Sequence, residues 1–223
     1  AINRITSDND PDAIEKMSTT DLRFWDHKQN YSGWIKEGLF QTAILISLMD
    51  NREDLSLSVS PSEWIDRLIS SILDNSTIEW WYSNKFVLGL IAETSPRSYI
   101  KFIQNDLRKE DSIIKRLFTP KGVNNLWGPQ EDYTHILFSL QAMLWEEEWL
   151  LPISCILADL SRIENDSNLY NKPITALYEA YAIWRPQTYA KTPIRLQALE
   201  TIGKKYPQQA FDLYFKLIDG LDH

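Results

Sequence analysis

Apolar residues recur at helical spacing along most of the chain, and the recurrences are short and sharply punctuated. Trp34 to Met49 sets Ile35, Leu39, Ala43, Ile46 and Leu48 near one face, the three-and-four spacing of an amphipathic helix. From Ser60 the pattern restarts with Trp64, Ile65, Leu68, Ile69, Ile72 and Leu73 as the expected buried stripe. The Ser60 hydroxyl is placed to cap that helix, with Pro61 at its first position and Glu63 completing a capping box. A further helix is predicted over Ile78 to Glu93. Another starts at Ser95-Pro96 and buries Tyr99, Ile100, Ile103 and Leu107, and a short one runs from Ser112 to Phe118. Tyr133–Trp145 and Trp149–Ile163 read as a helical hairpin turning at Glu146, Glu147 and Glu148, with Pro152 expected in the first turn of the second helix. Helices over Pro173–Trp184, Pro193–Lys205 and Pro207–Asp219 complete the pattern.

Proline marks the restarts at Pro61, Pro96, Pro193 and Pro207. Its fixed φ suits a first helical turn, and its missing N–H costs nothing there. Roughly nine to eleven helices at about 15–20 residue spacing give hairpins of about 35–40 residues, within the range of helical repeats. The predicted fold is therefore all-α, an α-solenoid-like stack of antiparallel helical hairpins, degenerate TPR/HEAT-like because no crisp consensus recurs. Residues 1–20 are a polar lead-in, frayed or weakly helical over 1–17, 21–118 the N-terminal hairpins, 119–130 the longest loop and 131–223 the C-terminal hairpins of one continuous helical domain. In the first group, 21–30 is expected to form a short helix presenting Leu22, Phe24 and Trp25. Leu55 to Val59 alternates like a strand but has no partner, so it is assigned as a linker.

Composition narrows the functional classes. The chain has 223 residues, 43% hydrophobic and 24% charged, enough for a continuous core. Only 7 glycines argue against sandwiches, barrels and glycine-rich nucleotide folds. A net charge of −8 disfavours broad nucleic-acid or anionic-membrane binding. The lone Cys155 cannot form an intramolecular disulfide, and no signal sequence or transmembrane run is evident, so a cytoplasmic setting is expected. The first residue, Ala1, fits either a processed initiator or a fragment of a longer polypeptide.

Chemistry-bearing motifs are sparse. Gly33 to Gly38 has the two-glycine spacing of a phosphate loop, but Leu39 and Phe40 stand where Lys and Ser/Thr are required, and no apolar strand precedes it. His27, His135 and His223 match no metal-ligand spacing. Adjacent glutamates at 146–148 point about 100° apart on a helix and cannot converge, so they read as a solvated turn complementing the next helix N-terminus. Arg108-Lys109 and Lys115-Arg116 are isolated pairs on solvated faces. No catalytic residue, metal ligand or cofactor is assigned. The aromatics are the remaining signal. Trp80, Trp81 and Tyr82 are consecutive, and Trp127 sits in the long loop, which makes these four the candidate partner contacts. The competing reading for the first three is a helix buried on two sides.

Several segments occur in one order: Glu37-Gly38-Leu39 with Thr42 to Leu48, Leu88 to Ala92 with Ser95-Pro96, His135 to Trp145, and Ile156 to Leu160. The most specific is Asn171-Lys172-Pro173 with Trp184-Arg185-Pro186-Gln187-Thr188, Ala190 and Arg195. In register, these segments resemble a helical region of very large bacterial proteins that carry a STAND-type P-loop NTPase and a variable N-terminal effector, related to AVAST-type antiphage defence systems. The resemblance covers residues 34–218 and departs at Asn165 to Asn168, where relatives carry a glycine-containing loop. It implies an intracellular bacterial protein whose NTPase and effector chemistry lie outside these residues.

Physically, the Trp184–Arg195 motif reads as a structural corner. Trp184 is expected to be buried, Pro186 ends one helix, Gln187 and Thr188 meet free backbone groups, and Arg195 reaches back to the last carbonyls. The expected function is a non-enzymatic scaffold or sensor segment of a STAND-type NTPase. Its partner would be a protein or another domain of the same polypeptide, not nucleic acid or membrane. A generic helical-repeat adaptor and an enzyme whose site is not evident in the sequence are the alternatives.

Overall fold

A computed structural model describes residues 2–6, 31–50, 58–119, 124–125, 128–129, 133–163 and 171–219. The described residues are all-helical apart from one minimal pairing, and they form twelve α-helices. In chain order these are α1 (Ile2–Thr6), α2 (Gly33–Ser47), α3 (Pro61–Asp74), α4 (Ile78–Ser83), α5 (Leu88–Thr94) and α6 (Pro96–Asp106). They continue with α7 (Ile113–Phe118), α8 (Thr134–Met143), α9 (Glu147–Leu160), α10 (Pro173–Tyr181), α11 (Thr192–Lys205) and α12 (Pro207–Asp219). A 3-10 turn, Lys85–Val87, precedes α5. Between α7 and α8, β1 (Asn124–Asn125) pairs antiparallel with β2 (Gly128–Pro129), Asn125 opposite Gly128.

Local chemistry starts the helices. Proline opens α3, α6, α10 and α12, and Pro193 sits in the first turn of α11. The Ser60, Thr77 and Ser112 hydroxyls accept from the backbone N–H of Glu63, Trp80 and Lys115 at 3.2, 3.3 and 3.0 Å, each satisfying one orphan donor of its helix. The capping box at Ser60 is half formed, because the Glu63 carboxylate accepts from Arg67 one turn on.

Packing links several helices to a sequence neighbour and most of them to helices two or three places away. Contacts run from α2 to α5, α5 to α8, α8 to α10 and α10 to α12, and in parallel from α3 to α6, α6 to α9 and α9 to α11. A continuous buried cluster extends from Phe40 of α2 to Leu213 of α12. Within it Trp81 stacks on Phe102 of α6 at 5.6 Å and donates its indole N–H to the Ser76 hydroxyl at 3.0 Å. Ser95 does not cap α6. It is buried and donates instead to the Asp66 carboxylate of α3.

Several expectations are corrected. The predicted helix over Ile78–Glu93 is broken at Asn84, whose buried amide donates to Trp80 O at 2.8 Å and to Thr6 O at 3.1 Å. That bond ties α1, part of the expected lead-in, to the helical body. Trp64 faces solvent, while Ile65, Ile69, Ile72 and Leu73 are buried as expected. Helix α2 buries Lys36, Phe40 and Ala43 and exposes Ile35 and Leu48, so the buried face is rotated from the expected one. Helix α9 begins at Glu147, which places Pro152 at its sixth position rather than in its first turn. Helix α10 stops at Tyr181, three residues short of Trp184. The short helix expected over residues 21–30, most of the linker and Trp127 lie outside the described residues.

Asp106, at the end of α6, is a buried carboxylate that organises the turn after it. Its Oδ2 accepts from the Ser112 hydroxyl at 2.7 Å and from Ile114 N–H at 2.9 Å, while Lys109 stands 3.4 Å from Oδ1. One buried carboxylate thereby fixes the α6–α7 turn. Asp106→Ala strands those two donors, and each unmet buried donor costs about 1–3 kcal/mol. A loss of about 2–4 kcal/mol in urea unfolding is expected, with Asp106→Asn recovering part of it.

Candidate functional site: an exposed aromatic corner

The connector from α10 to α11 is the part of the chain whose side chains and backbone are most sharply divided in role. Helix α10 ends without a left-handed cap, since Ala182 is extended at φ −50° and ψ 131°. The chain then crosses the α8–α9 turn, and its amides find partners there. Gln187 N–H donates to Glu179 O at 2.9 Å, meeting one of the last carbonyls of α10. Tyr189 N–H donates to Trp145 O at 3.0 Å, just past the end of α8. Ala190 N–H donates to the Thr188 hydroxyl at 3.2 Å, and Lys191 N–H to the Glu147 carboxylate at 3.2 Å. Thr188 and Ala190 are buried while Tyr189 between them points out, the alternation of an extended segment.

The backbone is therefore fixed and the large side chains are not covered. Trp184 is 73% exposed and Tyr189 77% exposed, with Ile183 also exposed and Trp145 beside them. The Trp145 and Tyr189 rings lie 5.1 Å apart at 52°, so they form one apolar platform. Exposed Glu146, Glu147 and Glu148 border it, and exposed Arg185 and Lys191 flank it. Glu148 meets Arg97 at 3.8 Å at the edge. Tryptophan, tyrosine and arginine on a pre-formed backbone, ringed by polar groups, is the composition that concentrates binding energy at protein interfaces.

This arrangement corrects the corner reading in part. Gln187 and Thr188 do satisfy backbone groups, and Pro173 is buried at the first position of α10. Trp184 is not a core residue, because α10 has ended three residues before it and the extended connector turns it outward. Arg195 donates to Thr192 Oγ1 of its own helix at 3.2 Å, and its charge acts on the Tyr181 hydroxyl at the end of α10 rather than bonding the last carbonyls. Asn171 contributes its carbonyl, which accepts from the Tyr133 hydroxyl at 3.1 Å.

The other candidate contacts are also corrected. Trp80, Trp81 and Tyr82 are all buried. Helix α4 is enclosed by α6, through Trp81 with Tyr99 and Phe102, and is tied to α1 through Asn84, so three successive aromatics find cover on different sides. They cannot anchor a partner on the folded chain. Trp145, Ile183 and Tyr189 were not singled out from the sequence. The available signal was the spacing of Tyr189 between two small buried residues, Thr188 and Ala190.

Among the described residues, Cys155, Asp159 and Tyr206 lie close enough to influence one another, while His135 stands apart. His135 packs edge-on to Phe86 at 4.9 Å, and partial burial, with Lys85 nearby, holds its pKa below the ordinary value. Burial raises the Cys155 thiol, the opposite of nucleophile activation. Burial and donation to Asp159 at 2.8 Å raise the Tyr206 hydroxyl. In the open polar groove along α3 and α6, Arg67 is held by Glu63, Asp66 by Ser95 and Ser70 by Ser98. No group of three metal-ligating side chains, and no helix long and apolar enough to cross a membrane, occurs among the described residues.

No family model, curated protein or solved structure matches the chain.

Because the indole of Trp184 lies largely in water, Trp184→Ala changes unfolding free energy by no more than about 0.5 kcal/mol, the surface range. Trp81→Ala, emptying a buried aromatic site, costs about 3–5 kcal/mol. Parallel urea melts of the two variants check the contrast.

Proposed function

We propose that this chain is a non-enzymatic helical scaffold, an α-solenoid-like stack of antiparallel hairpins that recognises a protein surface through the corner at Trp145, Ile183, Trp184 and Tyr189. The observation that carries the reading is the division within one connector. Four successive or near-successive amides, at 187 and 189–191, have identified acceptors while the adjacent aromatic side chains are uncovered. Rings held this way lose little further backbone entropy on binding, which favours their use as contacts. The two parallel series of helix contacts, α2–α5–α8–α10–α12 and α3–α6–α9–α11, support a two-row stack.

The register resemblance at Asn171–Arg195 supports a more specific role. In that reading the chain is a scaffold and sensor-side segment of a STAND-type NTPase in bacterial antiphage defence, and its partner is a foreign protein or a neighbouring domain of the same polypeptide. The acidic border of the corner favours a basic or mixed protein surface over nucleic acid.

Two results test this. The native reading frame is expected to encode a Walker A motif upstream of these residues, and a complete gene of this length contradicts the NTPase reading. With a photo-crosslinking benzoylphenylalanine at position 184 or 189 of the full reading frame in its host, covalent capture of a protein or neighbouring domain is expected. The exposed Lys101 position serves as the control. Equal capture from 101 and 184 contradicts recognition through the corner.

A further inference from the structure

Helix α12 carries a second apolar face that nothing among the described residues covers. Leu213 and Ala210 are buried and Leu217 is partly buried against the core. Phe211, Phe215 and Ile218 are each between 63% and 66% exposed, with Tyr214 at the edge of exposure among them. At 100° per residue the exposed stripe is centred about 120° from the buried one, and Gln208, Asp212, Lys216 and Asp219 occupy the third side. This is a helix with two apolar faces and one wet face.

The exposed stripe is held in place. The Tyr214 hydroxyl donates to Leu199 O of α11 at 2.7 Å and lies over Gly203, where an added Cβ would stand 2.9 Å from it. Leu196, also exposed, stands one turn before Leu199 on the same helix and extends the patch.

We propose that this face is a self-association surface, on which α12 of one copy packs antiparallel against α12 of a second copy across a two-fold axis. Two observations select a second copy as occupant. The first is the spacing of the stripe, 211, 214, 215 and 218, whose steps of three, one and three read the same in both directions. An axis between positions 214 and 215 brings Phe211 opposite Ile218 of the second copy and Tyr214 opposite Phe215 of the second copy. All four apolar positions then meet apolar positions, the self-complementarity that an isologous interface requires. The second is area. The exposed parts of Phe211, Tyr214, Phe215, Ile218 and Leu196 amount to roughly 500 Å² per copy, or ~1,000 Å² for the pair, at the lower limit for a specific interface. The expected dimer is therefore weak and concentration-dependent. It strengthens with salt, because each copy carries a net charge of −8 and the contact itself is apolar.

Sedimentation velocity of the full chain from about 2 to about 200 µM tests this, the span in which a weak dimer dissociates and forms. The proposal expects a shift from monomer to dimer with concentration, enhanced by added salt, and monomer throughout for Phe211→Ser/Phe215→Ser with unchanged circular dichroism. In a Cys155→Ser background, Phe215→Cys is expected to form an intermolecular disulfide with oxidised glutathione, and Lys205→Cys is not. A chain that stays monomeric over the whole range overturns the proposal. A dimer that survives the double serine variant also overturns it, as does one that dissolves with Leu45→Glu on the exposed side of α2 or with Trp184→Ala at the corner.

Discussion

A helix packed between neighbours on two sides must be apolar on two faces, and most of this structure follows from that requirement. Helix α5 shows it in seven residues, burying Leu88, Ile91 and Ala92 while touching α2, α3, α6 and α8. Helix α4 carries it further, with Trp80, Trp81 and Tyr82 consecutive and all buried. Such helices are short, and short helices have many ends. Their unpaired backbone groups are met by neighbouring segments, as when Asp106 holds Ser112 and Ile114, or when Glu147 accepts from Lys191. The α6–α7 and α10–α11 connectors are thereby fixed to the helices they join.

The aromatic corner is a consequence of the same economy of ends. Helix α10 stops early, and the connector meets its polar needs from α10 itself and from the α8–α9 turn. With the backbone committed inward, the alternation of an extended segment sends Tyr189 outward. The platform with Trp145 and Trp184 is held by structural bonds, yet much of its aromatic surface is exposed. That combination of rigid support and uncovered aromatic area is what motivates the recognition role.

Legibility from sequence followed the strength of local signals. Helix starts at Pro61, Pro96, Pro173 and Pro207 were readable because proline restricts φ at its own position whatever surrounds it. The all-α class was readable from periodicity. The buried stripes of α3 and α6 were readable as well, but the face of α2 was not, because a helix with apolar residues on two sides offers no unique stripe. In α2 the sequence favours Ile35, Leu39, Ala43, Ile46 and Leu48, but tertiary packing buries Lys36, Phe40 and Ala43, so only Ala43 is shared. Trp64 borders the buried stripe of α3 and faces solvent. The break at Asn84 depends on a bond to Thr6, 78 positions away, that no local pattern encodes. The outward turn of Trp184 depends on where α10 stops, and Pro186 alone placed that stop too late.

The central claim, that the connector presents Trp184 to solvent on a rigid support while Trp81 belongs to the core, is tested most directly by fluorine NMR of the fluorotryptophan-labelled chain. The two resonances are assigned with Trp184→Phe and Trp81→Phe, and a soluble gadolinium chelate is then added. The account predicts strong broadening of the Trp184 line and little change in that of Trp81. A Trp184 line as protected as that of Trp81 would contradict it.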